Sequence, residues 1–357
     1  MPLFSNDHQF AHAKDRAECR ASIRQGSRTF FGASLLLPAS VREPAYGLYA
    51  FCRLSDDAID LTNGSLAALT RLQDRLARIY GTTPSPIAAD RAMADIVRLF
   101  AIPRALPEAL LEGLAWDTQS RRYEDLTDLF DYAARVAGTV GVMMTLIMGV
   151  RTPEALARAC DLGIAMQLSN IARDVGEDAR AGRLYLPLQW MREAGIAPER
   201  FLANPIMSDA LRGVIARLLS EADRLYDRAR RGIACLPLSC RPAILSAAML
   251  YAEIGRELEK LSHDSIAHRA HVSGMRKLQL LTQALATVPQ LKDESSIPPL
   301  QAVHFLIDAV AASPLPLMQP TLNQMTQRQV KPQFLRVLAI FERLERNERC
   351  EAVFPRH

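Results

Sequence analysis

The sequence predicts an all-α protein, and three observations carry that prediction. Apolar residues recur at intervals of three and four through most of the chain, stretches of strict apolar–polar alternation are scarce, and proline and glycine fall where the periodic segments stop. Helices are expected over 12–25, 43–60, 64–80, 87–101, 107–120, 125–150, 153–179, 208–234 and 240–262, with a shorter one at 274–287. Neither an internal repeat nor a low-complexity segment interrupts them.

The first connection, Gly26–Pro38 (GSRTFFGASLLLP), mixes hydroxyls, a base and two aromatics. It reads either as a connector that packs Phe30 and Phe31, or as a segment in which Ser27, Arg28 and Thr29 donate to phosphate oxygens. Pro44 suits the first turn of the next helix, and Asn63-Gly64 its stop. On that helix Leu48, Phe51, Cys52, Ser55 and Ile59 share a buried stripe. Tyr46, Tyr49, Arg53, Asp56 and Asp60 share the flank, and Asp57 points further round, towards solvent. Pro84-Ser85-Pro86, Pro103 and Pro107 separate the helices that follow. Trp116–Met144 brings Arg122-Tyr123, Tyr132 and the small-residue run Ala137–Gly141, which admits the close approach of another helix or of a ligand. The uncharged run Val136–Val150 would span roughly 22 Å as a helix, short of the ~30 Å bilayer core. Gly138, Gly141 and Gly149 interrupt it, so a buried helix is expected and not a membrane span. Tyr251 lies in a helix of alternating charge, and His268–Lys277 offers Arg269, Arg276 and Lys277 either to a nearby anion or to solvent. From about 291 the character changes: Ser295–Pro299 and Ala311–Pro320 are proline-rich, with amphipathic helices at 300–312 and 333–347. The expected division is a main body over 1–290 and a C-terminal helical, partly flexible extension over 291–357.

Composition narrows the function classes. Basic residues (43) and acidic residues (39) leave a net charge of +4, too balanced for a nucleic-acid binder. Six cysteines form no CxxC pair and no zinc spacing with histidine, which suits reduced thiols of an intracellular protein. The N-terminus holds no apolar core of signal-peptide length. Calcium-loop, Walker A, GxGxxG and HExxH patterns are absent.

Chemistry-bearing residues gather in two places. In Gln167–Pro187 (QLSNIARDVGEDARAGRLYLP), Asn170, Asp174 and Asp178 are four apart, which in a helix advances about 40° and rises about 6 Å per step. They form a shallow spiral beside an apolar stripe of Ile164, Leu168, Ile171 and Val175. Asp56 and Asp60 repeat the spacing on the helix over 43–60. Both sets precede a helix stop, where negative charge opposes the macrodipole at about 0.3–1 kcal/mol each when exposed. Arg180 and Arg183 offset part of that cost, and a divalent cation would offset more. A solvated, salt-bridged helix end explains one such motif equally well. Two on separate helices, each beside arginine and apolar surface, point to Mg²⁺, a hard ion that takes carboxylates together with substrate phosphates. Opposed aspartate helices of this kind can clamp a diphosphate through bridging ions.

With these residues in view, the sequence resembles the phytoene/squalene synthase family of head-to-head prenyl transferases over about residues 15–285. The resemblance rests on YAARVAGTVG (Tyr132–Gly141), GIAMQLSNIARDVGEDARAGRLYLP (Gly163–Pro187), YAFCRLSDDAID (Tyr49–Asp60) and GSRTF. It departs at Ala134, where many relatives carry an aromatic. It implies a single-domain isoprenoid synthase fold, a helical bundle around a central apolar cavity, with 1–290 as the catalytic domain. It further implies that Asp56, Asp60, Asn170, Asp174 and Asp178 bind Mg²⁺, or Mn²⁺ in its place, with two diphosphates. Asp56, Asp60, Asp174, Asp178, Tyr132 and Arg53 would carry the catalysis. Arg53, Arg173, Ser27, Arg28 and Thr29 would contact phosphate oxygens, with Phe30, Tyr49, Gln167, Tyr132 and Tyr251 around the substrate. The implied chemistry is condensation of two allylic diphosphates in two ionisations, through a cyclopropylcarbinyl diphosphate. The motif wording is closest to bacterial phytoene-forming members, which implies geranylgeranyl diphosphate as substrate and no NADPH. The alternative is a C15-using relative that makes squalene, dehydrosqualene or presqualene diphosphate. A helical scaffold without chemistry is a further alternative, against which the intact aspartates argue. An apolar product implies a cytoplasmic enzyme held peripherally at the inner face of the membrane, through the tail helices, with contact to downstream carotenoid enzymes.

Overall fold

The computed structural model describes residues 10–60, 66–81 and 83–313, apart from the side chains of Arg28, Asp60 and Leu66. The helix expected at 333–347 lies outside these residues. Among the described residues every regular element is a helix. The chain enters through α1 (Ala13–Gly26), α2 (Arg28–Ser34) and α3 (Ala39–Asp60), followed by α4 (Leu66–Tyr80), α5 (Ala88–Leu99) and α6 (Ala105–Thr118). Helix α7 (Leu126–Ala133) runs through a π-helical segment (Ala134–Gly138) into α8 (Thr139–Ile147). Then come α9 (Pro153–Arg180), the short α10 (Leu188–Glu193) and α11 (Pro198–Ala203), α12 (Asp209–Arg230), α13 (Arg241–Lys260), α14 (Gly274–Thr287) and α15 (His304–Ala311).

The bundle is built on α9. Pro153 opens it, where a missing amide costs nothing, and Gly182, at φ +75°, follows its end. Its apolar stripe, Ile164, Leu168, Ile171 and Val175, is buried, each side chain contributing roughly 1.5–3 kcal/mol by leaving water. Helices α8, α12 and α13 pack around it. The approach of the π segment is especially close. A Cβ on Gly163 would stand 2.5 Å from the Ala137 carbonyl oxygen, and one on Gly141 2.4 Å from that of Ala159.

Four expectations change in detail. Residues 26–38 are not only a connector: Ser27 caps α2, its Oγ accepting from the Phe30 amide at 3.2 Å. Helix α3 begins at Ala39, where the Val41 and Arg42 amides reach the Pro38 carbonyl, so Pro44 lies in its second turn instead of its first. The helix expected over 125–150 is broken by the π segment, wedged between Gly113 of α6 and Gly163 of α9. Tyr46 leaves the flank of α3 for a small core between α1, α3 and α5, with its hydroxyl 3.3 Å from the Ser34 Oγ.

Packing also continues past the boundary expected at 290. Val303 and Leu306 are fully buried in the main core, and the Ile297 carbonyl accepts from Arg158 Nη1 at 2.8 Å. Residues 291–313 thus close against the body, and 314–357 lie outside the described residues.

Candidate active site

A cavity of about 350 Å³ runs beside α9, walled by α2, α3, α8, α13 and the end of α12. At one end Asn170, Gln167, Tyr49 and Tyr251 face it. From there α9 descends through Met166, Leu162, Ala159 and Ala155, an aliphatic wall. Phe30 stacks on Tyr251 with ring centroids 4.9 Å apart, so α2 carries an aromatic edge of the mouth. Burial raises the Tyr251 hydroxyl to about 12, with nearby Arg173 pulling the other way, and the ring stays neutral. The Tyr49 hydroxyl, also raised by burial, closes on Gly26, where a Cβ would meet it at 2.3 Å.

The acids stand above this mouth, at the C-terminal ends of α3 and α9. Asp174 is gripped by two arginines: Arg173 Nε donates to Oδ1 at 2.9 Å and Arg269 Nε to the same oxygen at 3.0 Å. Arg269 also lies 3.5 Å from Glu177. Asp178 is 15% exposed and 3.5 Å from Arg183. Loss of water, helped by the charges of Asp174 and Glu177 and opposed by Arg183, lifts its carboxyl to about 7. On α3, Asp56 is 48% exposed with Arg53 3.7 Å away, and the nearer partner of Arg53 is Asp57, Nη2 to Oδ1 at 2.8 Å. Asp57 is therefore not turned idly to solvent. The i,i+4 spacing lets the long arginine reach back to it. The Asp60 side chain lies outside the described residues, as does that of Arg28; Thr29 is half-buried on α2.

Tyr132 does not line the cavity. It is buried behind the wall, its hydroxyl donating to Asp117 Oδ2 at 3.0 Å, while Tyr185 donates to Oδ1 at 2.8 Å. Tyr123, Tyr132 and Tyr185 form a ring cluster, with centroids of 5.2 Å for both pairs that include Tyr132. Desolvation raises Asp117 to about 6 despite both tyrosines and Arg183, and the charge of Asp56 adds to the rise. Asp117 and Tyr185 thus belong to the acidic mouth together with Arg183, although no spacing in the sequence singles out the first two. The available signal is an aspartate beside Trp116 at the end of a largely apolar helix, and a tyrosine inside the Gly163–Pro187 motif. Of the basic stretch, Arg269 joins the site, whereas Arg276 is bound elsewhere, with Nε 2.6 Å from the buried Glu253.

A deep apolar cavity under a rim of carboxylates and arginines defines an enzyme that handles a long apolar chain with an anionic head. A family model described as squalene/phytoene synthase matches residues 23–276, and the chain belongs to that family of prenyl transferases. It is 50% identical over 306 residues to a phytoene synthase of Rhodobacter capsulatus, covering 83% of this chain and 90% of that one. It is 42% identical over 272 residues to a 15-cis-phytoene synthase of a Paracoccus species, covering 73% and 87%. Among solved structures, a dehydrosqualene synthase in complex with ligand superposes with a TM-score of 0.72 at 31% identity, covering 78% of this chain and 97% of that one. The fold is the isoprenoid synthase fold.

Proposed function

We propose that the chain is a phytoene synthase, joining two geranylgeranyl diphosphates head to head and releasing both diphosphates. The observation that carries the chain length is the depth of the cavity along α9. From Asn170 at the mouth to Ala155 the helix rises roughly 22 Å. An extended C20 tail has sixteen main-chain carbons and, at about 1.25 Å of advance per ~1.5 Å bond, measures about 19 Å, against about 14 Å for a C15 tail. The similarity to phytoene synthases points the same way.

In the first half of the reaction the C1–O bond of one substrate breaks and its electron pair leaves with diphosphate. The 2,3-double bond of the second substrate attacks the allylic cation, and loss of a proton closes a cyclopropane. In the second half the remaining C–O bond breaks, the ring opens to the 1′–1 linkage, and loss of another proton gives the hydrocarbon. Arg53, Arg173 and Arg269 supply the positive charge that receives the diphosphates, exchanging aspartate oxygens for phosphate oxygens. The faces of Phe30, Tyr49 and Tyr251 border the mouth, where an allylic cation is stabilised by aromatic electron density. Aliphatic walls keep water from quenching it. Besides the rim acids, which hold negative charge already, the departing diphosphate is the base at hand for the protons.

The rim fits a hard dication. Its donors are oxygens, and burial lifts Asp178 and Asp117 towards neutrality, a cost that a bound cation would relieve. Among the described residues no three His, Cys, Asp or Glu side chains already converge on one point. Asp56, Asp60, Asn170, Asp174 and Asp178 would hold Mg²⁺, with Mn²⁺ a substitute. When bound, the ion supplies Lewis-acid neutralisation of the leaving diphosphate. No helix of the described residues is long and apolar enough to cross a membrane. Peripheral contact with the inner face of the membrane and with downstream carotenoid enzymes completes the proposal, since the product is a hydrocarbon with no affinity for water.

The test is an extraction assay with purified protein, Mg²⁺ and either C15 or C20 allylic diphosphate, with and without NADPH. A C40 hydrocarbon from the C20 substrate, formed without NADPH and lost with EDTA, is the expected result. A C30 product, or a requirement for NADPH, would overturn it.

A further inference from the structure

The far end of the cavity is built around a charged residue. Arg158 is 2% exposed, yet it lines the cavity together with Ala155, Ile233 and Leu236. Its guanidinium is held in a polar knot: Nε lies 2.7 Å from Asp161 Oδ2, and Nη1 donates to the Ile297 carbonyl at 2.8 Å. Arg228 joins the same knot, with Nε donating to Asp161 Oδ2 at 3.1 Å and Nη2 to the Pro298 carbonyl at 2.8 Å. The side chain is therefore anchored at its Cα by α9 and at its head by Asp161 and the carbonyls of the 295–298 segment, with Arg228 of α12 bracing both of those partners. Beneath its stem lies Gly232, where a Cβ would stand 2.4 Å from Arg158 Cβ and 2.3 Å from Cγ. The glycine has φ −100°, so its role is space and not backbone conformation.

We propose that the Arg158 stem, seated on Gly232, is the floor of the tail cavity and sets the longest isoprenoid chain the enzyme accepts. This rests on the prenyl-transfer reading above. One turn of α9 rises 5.4 Å, close to the roughly 5 Å advance of one isoprene unit, so each turn serves one unit. Counting from Asn170, the units meet Met166, then Leu162, then Ala159, and the fourth arrives at Arg158 and Ala155. An aliphatic floor yields to a longer ligand by changing rotamer. A stem fixed at both ends does not, which explains why a fully desolvated arginine stands at the end of an apolar cavity.

The test is consumption of C15, C20 and C25 allylic diphosphates from an equimolar mixture. A competition ratio reports relative kcat/KM and is independent of the fraction of protein that is folded. Gly232→Ala pushes the stem into the cavity and should lower the C20-to-C15 ratio at least tenfold. Arg158→Ala removes the stem, leaves Asp161 paired with Arg228, and should raise the C25-to-C20 ratio at least tenfold. Ile233→Ala, which deepens the same floor without touching the ion pair, should shift the C25-to-C20 ratio in the same direction. Ratios within twofold of the unsubstituted chain in all three variants would overturn the floor assignment while leaving prenyl transfer intact. No consumption of any of the three diphosphates by the unsubstituted chain would instead refute the prenyl-transfer reading, and the floor with it.

Discussion

Replacing Asp117 with asparagine is expected to make the folded chain more stable at pH 8 and less active. Asp117 titrates near 3.8 when unfolded and is raised to about 6 in the folded state, chiefly by desolvation. A raised carboxyl favours the folded state at low pH and penalises it as the pH climbs from about 4 to about 6, above which the penalty is constant. At 1.36 kcal/mol for each tenfold change, the penalty is roughly 3 kcal/mol at pH 8 and about half of that at pH 5. Asparagine is nearly isosteric with the protonated acid and can still accept from one tyrosine hydroxyl while the other turns to accept from its amide. The variant therefore approximates a protein whose Asp117 is permanently neutral. Urea unfolding in EDTA should show the variant more stable by roughly 3 kcal/mol at pH 8 and by about half of that at pH 5. Turnover of the C20 substrate should fall at least tenfold, because Asp117 orients Tyr132 and Tyr185 under the acidic rim. A variant that is less stable at pH 8, or whose gain is the same at both pH values, would show that the carboxyl is not held against its own ionisation.

Three further outcomes follow from the same contacts. Asp174→Ala should leave the far-UV spectrum unchanged and reduce turnover by more than a thousandfold, since Asp174 gathers Arg173 and Arg269 and would share the metal; normal turnover would sink the metal-clamp assignment. Gly163→Ala places a Cβ 2.5 Å from the Ala137 carbonyl, backbone against backbone, and should cost about 3 kcal/mol in urea unfolding. Magnesium at a hundredfold excess over its dissociation constant should stabilise the unsubstituted chain by about 2.7 kcal/mol and leave Asp178→Asn almost unmoved; equal stabilisation of both would place the ion elsewhere.

What was legible from sequence is what repeats locally. The stripe of α9 and the four-residue spacing of Asn170, Asp174 and Asp178 depend on residues a turn apart, so periodicity finds them. The all-α bundle follows from the same signal. Relations between distant residues were not legible in this way. Nothing around Asp117 announces that Tyr132 and Tyr185 will converge on it from 15 and 68 residues away. Helical angles sent Asp57 towards solvent because they locate Cβ atoms, whereas Arg53 brings its charge back on a long stem. The resemblance puts Tyr132 around the substrate, whereas in the fold its hydroxyl turns to Asp117, and small residues such as Ala137 and Gly138 leave no hydrophobic period in which the π segment after it would register. Arg158 is one arginine among many until the 295–298 segment, more than a hundred residues later, closes over it.

The two ends of the cavity use buried charge in opposite ways, and that contrast separates structure from function without appeal to resemblance. At the floor, Arg158 and Arg228 meet Asp161 and backbone carbonyls, so positive charge finds negative atoms within the chain. Removing one member there should cost stability, and where the member is Arg158 it should also change chain-length selection by removing the stem. At the mouth, Asp178 and Asp117 are desolvated and rise towards neutrality, so the positive charge nearby does not offset their burial. Such carboxylates where the cavity opens, with Arg53, Arg173 and Arg269 resting on aspartates that a diphosphate can displace, are the arrangement expected of a site completed by cations and anions from solution. The floor measures the tail, the mouth ionises the head, and α9 carries both, which is why a shift of one turn along that helix would alter chain length and chemistry together.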